Sequence, residues 1–330
     1  MIKVHALGVA GHPDLCDQIR SLETAGLDGF FVTDHLFVTA GRPRREADRG
    51  SDPFVRLAIA GALSEKLMLG SCVVNIGLGH PALAIRSFLA LAAQFGGERV
   101  IAGIGAGWNP EEFTALGLDF PPFATRLDRL KETTALARDL FHDGFADLAG
   151  THITAQELAL GPVPASPPRL LLGGGSDRLL DIAGLHADIV DLNASSRGLK
   201  LAGAHPVFRD NVRRLRTTVD DLDWSVSRVR ETAIAAGRDP ASVEFSLLVN
   251  AVRFCSAREV ENVESELCRS AEIDRQSLAD CPYVFIGPPE RMREQLLERA
   301  NRLGLGHLIL TPAAAEVLGR FREEVVAVVG

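Results

Sequence analysis

Eight short apolar runs, each trailed by a longer segment with apolar residues at helical spacing, punctuate the 330 residues of this chain. The runs fall at residues 2–8, 28–33, 67–74, 98–105, 169–173, 187–191, 243–250 and 306–311. The intervening helical segments fall at 13–25, 52–64, 81–95, 123–142, 176–184, 223–236, 289–303 and 313–328. Two of them open on Asp52-Pro53 and His80-Pro81, where proline suits the first helical position. Alternating strands and helices imply parallel strands with helical crossovers, and eight such units predict an α/β fold, the (β/α)8 TIM barrel. No break in composition divides the chain, so one barrel domain is expected over residues 1–330. Residues 143–168 and 192–222 exceed ordinary loop length and are expected to be insertions that carry lids or binding elements.

Composition narrows the partners. A formal net charge of −8 does not supply the basic face that phosphate neutralisation needs, so no nucleic-acid partner is expected. No apolar run approaches the roughly 20 residues of a membrane span, which leaves no membrane partner. Cys16, Cys72, Cys255, Cys268 and Cys281 form no Cys-x-x-Cys pair, and His5, His12, His80, His186 and His205 share no ligand spacing. No metal site is expected, and the histidines are assigned to packing, capping or the surface. Scattered thiols and an N-terminus with no basic stretch before a long apolar core point to a cytoplasmic address.

In a barrel of this kind the loops after the strands' C-terminal ends build the site. Thr33, Asp34 and His35 follow the second strand, and an imidazole beside a carboxylate there can move a proton near neutral pH. Asn75 follows the third strand. After the fourth comes GIGAGWNPEEF, residues 103–113, whose Gly105 and Gly107 remove side chains that would block a ring or chain lying on the backbone. It lacks the G-x-G-x-x-G spacing of a dinucleotide site. Gly173, Gly174, Gly175 and Ser176 lead into a helix, so exposed N–H groups and the positive end of the helix dipole could take an anion there, with Arg178 a further source of charge.

In this order the motifs resemble the luciferase-like family, and most closely its F420-dependent oxidoreductase branch. The resemblance is carried by AGLDGFFVTDHL (25–36), LMLGSCVVNIGLGHPALAIRSFLAL (67–91), ERVIAGIGAGWNPEEFTALGLDF (98–120), RLDRLKE (126–132), PPRLLLGGGSDRLLDIAGLHADIVD (167–191) and FIGPPERMREQLLERANRLGLGHLIL (285–310). It implies the same barrel and a deazaflavin, F420, in its mouth, with FMN as the alternative cofactor of a monooxygenase. It implies hydride transfer to or from a small organic substrate, with His35 as the proton donor or polarising group and Asp34 beside the ring. A non-prolyl cis peptide supporting one ring face is implied at Ser71-Cys72, followed by Val73 and Asn75. Ala106, Gly107, Trp108 and Asn109 would line the cofactor, and Gly173 to Ser176 would receive its phosphate. Arg197, Lys200 and the Arg42 to Arg45 cluster are candidates for its anionic tail. The strand 1 end shows no acidic residue to match the extra glutamate of sugar-phosphate-oxidising relatives, and a homodimer is implied. A non-catalytic flavin- or F420-binding barrel is the remaining reading.

Overall fold

The computed structural model describes residues 1–8, 14–39, 42–194 and 212–329. Among them, eight parallel strands close on one another: β1 (Lys3–Leu7), β2 (Gly29–Val32), β3 (Met68–Ser71), β4 (Val100–Gly105), β5 (Arg169–Gly174), β6 (Ile189–Leu192), β7 (Glu244–Val249) and β8 (Leu305–Leu310). Each pairs with the next, and β8 pairs with β1 through His5↔Ile309. All eight expected strands are present, to within a few residues at each end. Helices α1 (Leu15–Thr24), α2 (Pro53–Leu63), α3 (Pro81–Phe95), α4 (Pro110–Ala115), α5 (Phe123–Asp143), α6 (Asp177–His186), α7 (Val219–Ala235) and α8 (Pro289–Leu303) lie along the chain between strands. Asp52 accepts a hydrogen bond from Val55 N at the start of α2, and Pro53 and Pro81 occupy first turns, as expected. No helix among the described residues is long and apolar enough to cross a membrane.

Alternation along the strands sorts side chains into a barrel interior and an outer core beneath the helices. Leu7, Phe31, Met68, Ile101, Leu171, Ile189 and Ile309 pack as one interior cluster, joined by Leu248, so every strand contributes a side chain to the plug. Fully burying such residues stabilises by roughly 1.5–3 kcal/mol apiece, which makes this ring the interior half of the barrel's cohesion.

Below the plug the interior is polar. His307 Nε2 meets Glu244 Oε2 at 2.7 Å, His307 Nδ1 meets His5 Nε2 at 2.8 Å, and Arg169 pairs with Glu244 at 2.9 Å. Because a carboxylate only accepts, His307 donates from Nε2, which makes its Nδ1 an acceptor and His5 Nε2 the donor. Burial, reinforced by neighbouring positive charge, holds His5 well below its usual range, and burial likewise lowers His307. Hydrogen bonding from His307, then Arg169, brings Glu244 down to about 2. His5 was expected only to pack; it is the end of a relay joining β1, β8, β7 and β5.

Three segments differ from the sequence expectation. Residues 143–168 hold a hairpin, Phe145–Ala149 against Thr154–Ala159, whose turn is pinned by Glu132 of α5 accepting the N–H groups of Thr151, His152 and Ile153 at 2.8 Å each. In the 192–222 insertion, 195–211 lie outside the described residues, and α7 starts at Val219 because Thr218 and Asp221 form a capping box ahead of the apolar face. After β7, Ala251–Phe254 and Val284–Gly287 form a separate parallel ribbon, which the sequence reading left unassigned.

The buried histidines give a signed prediction. The unfolded chain binds protons at His5 and His307 below about pH 6.5, and the folded chain resists them, so stability falls as pH drops through that value. Glu244 acts in the same direction lower down: its contribution is complete above about pH 4.3 and is lost toward its folded value of about 2. Thermal melts should show a lower Tm at pH 5.5 than at 7.5, and His5→Leu should flatten that difference. A Tm independent of pH over this interval would contradict the buried neutral pair.

Candidate active site

At the mouth, the layer above the plug is built around missing side chains. A β-carbon at position 105 would lie 2.5 Å from Val73 Cγ2, and one at 173 would lie 3.7 Å from Val73 Cγ1. Val73 therefore occupies the mouth between two glycines, as a small apolar shelf. The cis peptide expected at Ser71-Cys72 lies one bond later, at Cys72-Val73. Ser71 keeps strand register opposite Val32 of β2, and its buried Oγ bridges β3 to β4, donating to Gly103 O at 2.7 Å and accepting from Gly103 N at 3.1 Å. Ser71 thus ties the two strands together and does not face the mouth.

The turn after β4 is set from three sides. Gly107 has φ +74°, and a side chain there would run into the Asn75 amide. Asn75 Oδ1 accepts from Gly77 N at 2.9 Å, and Asn75 N donates to Asp34 Oδ2 at 3.0 Å. Arg126 of α5 donates to Gly107 O and to Pro121 O, with its guanidinium 4.2 Å from the Phe120 ring centroid. Asn109 is buried and caps α4 by accepting from Glu111 N at 3.1 Å, so its side chain shapes the turn from inside. Burial pushes the Asp34 carboxyl above its usual range, against the opposing Asn75 N–H and the adjacent His35.

His35 has a partner that the sequence reading did not single out. Its Nδ1 lies 3.2 Å from Glu112 Oε1, and the same oxygen accepts from Leu36 N at 2.7 Å. Glu112 is fully buried. Trp108 stands edge-on to His35, with ring centroids 5.3 Å apart and a 73° interplanar angle. Since a carboxylate accepts, Nδ1 carries the hydrogen and Nε2 is left as the acceptor of the neutral ring. The signal for Glu112 was its place in the first turn of a proline-started helix, three residues after the buried cap Asn109. Nothing in the spacing says that this turn packs under residue 35.

On the other side of the mouth, β5 runs through Gly173 and Gly174 to Ser176, the cap of α6. Gly175 is closely approached by the Asn193 and Ala194 carbonyls, so position 175 has no room for a side chain. Ser176 makes no side-chain capping bond, and its buried Oγ has no hydrogen-bond partner among the described residues. An orphaned hydroxyl at a helix N-terminus behind three glycines fits a bound anion, such as a cofactor phosphate. Arg178, proposed from sequence as added charge, turns instead to Asp128 of α5. Arg197 and Lys200 lie outside the described residues. Of the other tail candidates, Arg42 pairs with Asp48 at 2.6 Å and Arg44 lies over Phe37. The cations lining the cleft beneath Ala106 are Arg126 and Arg129.

The model of the luciferase-like monooxygenase family matches residues 5–209 of the sequence. The chain belongs to that family. A relative of Intrasporangium calvum, an F420-dependent glucose-6-phosphate dehydrogenase, is 27% identical over 309 residues, covering 91% of this chain and 89% of the relative. Among solved structures, an F420-dependent secondary alcohol dehydrogenase in complex with an F420-acetone adduct superposes with TM-score 0.76 at 18% identity, covering 100% of this chain and 99% of that one. A riboflavin lyase with modified FMN and riboflavin gives TM-score 0.73 at 17% identity, covering 99% and 91%. These structural likenesses establish the luciferase-like barrel fold.

The His35–Glu112 geometry is directly testable. Ring-nitrogen NMR should find His35 as the Nδ1–H tautomer in the neutral protein. Glu112→Ala should remove that preference and, by stranding the Leu36 N–H, lower stability by about 1–3 kcal/mol. A His35 ring protonated on Nε2 in the unaltered protein would contradict the assignment.

Proposed function

We propose that this chain is an F420-dependent oxidoreductase that moves a hydride to or from a small organic substrate at the barrel mouth. The observation that carries the reading is the juxtaposition of a carboxylate-oriented imidazole, His35 on Glu112, with a glycine-lined shelf and the buried, unpartnered Ser176 hydroxyl at the start of α6. Val73, Gly105, Gly107 and Trp108 would hold the ring and its side chain. Gly173 to Ser176 and the first N–H groups of α6 would hold the phosphate. When bound, F420 supplies a two-electron carrier at its deazaflavin ring.

What the chain's own residues contribute is orientation and a proton path. Glu112 fixes the His35 ring, so Nε2 is available to accept the proton an alcohol loses as its hydride departs, and to return it in the reverse direction. Asp34 holds the backbone of Asn75 and, through it, the Gly107 turn. The first acidic residue of the chain is Asp14, beyond β1, so the extra glutamate implied for sugar-phosphate oxidation has no counterpart on that strand, and the proposal stays with the broader class of small organic substrates. The five free cysteines suit a reducing, cytoplasmic setting. The homodimer reading is supported by Val55, Ile59 and Leu83, which expose apolar side chains on α2 and α3. Sedimentation at micromolar concentration checks it: a chain that stays monomeric would end that reading.

Titration of the apo-protein with F420 and, separately, with FMN tests the cofactor. F420 should bind more tightly. Ser176→Ala should weaken F420 binding by roughly 2- to 13-fold, the effect of one lost hydrogen bond of about 0.5–1.5 kcal/mol. His35→Ala should leave affinity within a small factor and reduce turnover by about 10²- to 10⁴-fold. Preference for FMN would move the chain to oxygen-using chemistry, and binding of neither cofactor would remove the reading.

A further inference from the structure

Position 50 carries no side chain, and the reason lies in what stands against it. The chain leaves β2 through His35 and Leu36, runs out along Phe37–Val38 and returns antiparallel along Asp48–Arg49, with Phe37 opposite Arg49 and Val38 opposite Asp48. Gly50 extends that ladder by one rung, its N–H donating to Leu36 O at 2.9 Å. A β-carbon there would lie 1.4 Å from His35 O and 2.6 Å from the His35 carbonyl carbon, the closest approach of a backbone atom to the β-carbon position of any glycine among the described residues. Its φ lies outside the left-handed region, so the requirement at 50 is for space and not for a backbone conformation.

The same peptide is gripped from its other side. Leu36 N donates to Glu112 Oε1 at 2.7 Å, and that oxygen lies 3.2 Å from His35 Nδ1. One carboxylate thus accepts from the backbone of residue 36 and the ring of residue 35 together, so a shift of the 35–36 peptide changes the His35–Glu112 distance. Beyond Gly50 the chain is anchored two residues on, where Asp52 caps α2 by accepting from Val55 N at 2.9 Å, and α2 buries Leu57 and Ala60 in the core. The His35–Leu36 peptide is therefore clamped between α4, through Glu112, and the approach to α2, through Gly50. The hairpin itself is secured by exposed contacts, Arg42 on Asp48 at 2.6 Å and Arg44 over Phe37 at 5.7 Å, which contribute little apiece. What fixes the peptide is the fit at Gly50.

We propose that Gly50 is a positioning residue for His35: its bare backbone closes against the His35 carbonyl and thereby keeps the imidazole within reach of Glu112. A side chain at 50 displaces the 35–36 peptide, and both bonds to Glu112 are disturbed together. Gly50 acts only through His35, so its loss changes the orientation of the ring and leaves the Val73 shelf and the Gly173 to Ser176 turn as they are.

The test compares the unaltered apo-protein with Gly50→Ala and with Gly79→Ala, whose added methyl group meets nothing within 4 Å, by ring-nitrogen NMR of His35. Gly50→Ala should lose the Nδ1–H preference and show a mixture of tautomers, while Gly79→Ala keeps it, which separates displacement of the peptide from the general effect of an added methyl group. An unchanged His35 tautomer in folded Gly50→Ala overturns the proposal. If Gly50→Ala does not fold, amide hydrogen exchange of the unaltered protein decides. The Gly50 and Leu36 N–H groups should both exchange at least about 100-fold more slowly than in an unfolded chain, and a Gly50 amide that exchanges at the unfolded rate overturns the proposal. A second arm rests on the F420 reading: Gly50→Ala should lower kcat by about 10- to 100-fold while F420 affinity stays within about threefold of the unaltered protein. Unchanged turnover, or affinity lost in step with turnover, overturns the proposal. Failure of the unaltered protein to bind F420 ends that reading and leaves the NMR and exchange measurements to decide this one.

Discussion

Closure of eight parallel strands is the constraint on which everything else in this molecule depends. Once the ring is closed, every second side chain must go inward, and the space there is finite. Through the middle of the barrel that space is filled by one aliphatic, aromatic or thioether side chain from each strand. At the mouth it is deliberately underfilled, because Gly105 and Gly173 stand where two neighbouring strands would otherwise contribute bulk, and Val73 turns in between them. The site is the top layer of the core with side chains taken away, which is why its floor is rigid.

Polar groups are distributed around the plug with opposite outcomes. Beneath it, Arg169, Glu244, His307 and His5 satisfy one another in a chain that runs from partly exposed to fully buried and ends at an unpartnered nitrogen, His5 Nδ1, among the described residues. Nothing there opens toward the mouth, so it contributes cohesion and acid sensitivity. Above the plug, the polar groups are arranged as supports for other groups: Glu112 for His35, Asp34 for Asn75, and Arg126 for the Gly107 carbonyl. Glu112 is fully buried and Asp34 partly so, and each is bonded to a neighbour at the mouth. Sites held this way keep their geometry because the supporting atoms have no alternative partners.

Membership in the luciferase-like monooxygenase family sets the frame, and the low identity to its relatives shows how little of the chain the frame requires. The hairpin held by Glu132 and the ribbon after β7 lie outside the ring of eight strands. The ribbon follows β7, on the side where the loops of such a barrel build the site, whereas the hairpin lies on the connection from α5 to β5.

By itself, the sequence determined the barrel, its eight strands and most of its helices, because hydrophobic period and proline or capping signals are local properties of the chain. It also placed His35, the 105–109 turn and the 173–176 glycine turn at the mouth, since the fold assigns strand C-termini to one face. Only the tertiary structure decided which residues support them. Glu112 reaches His35 across 77 positions, Asp191 accepts from Ser246 of the neighbouring strand, and Ser71 spends its hydroxyl on Gly103 while the cis peptide falls at Cys72-Val73. These pairings are set by strand stagger and by which buried donor finds which acceptor, and neither quantity is written in any local stretch of residues.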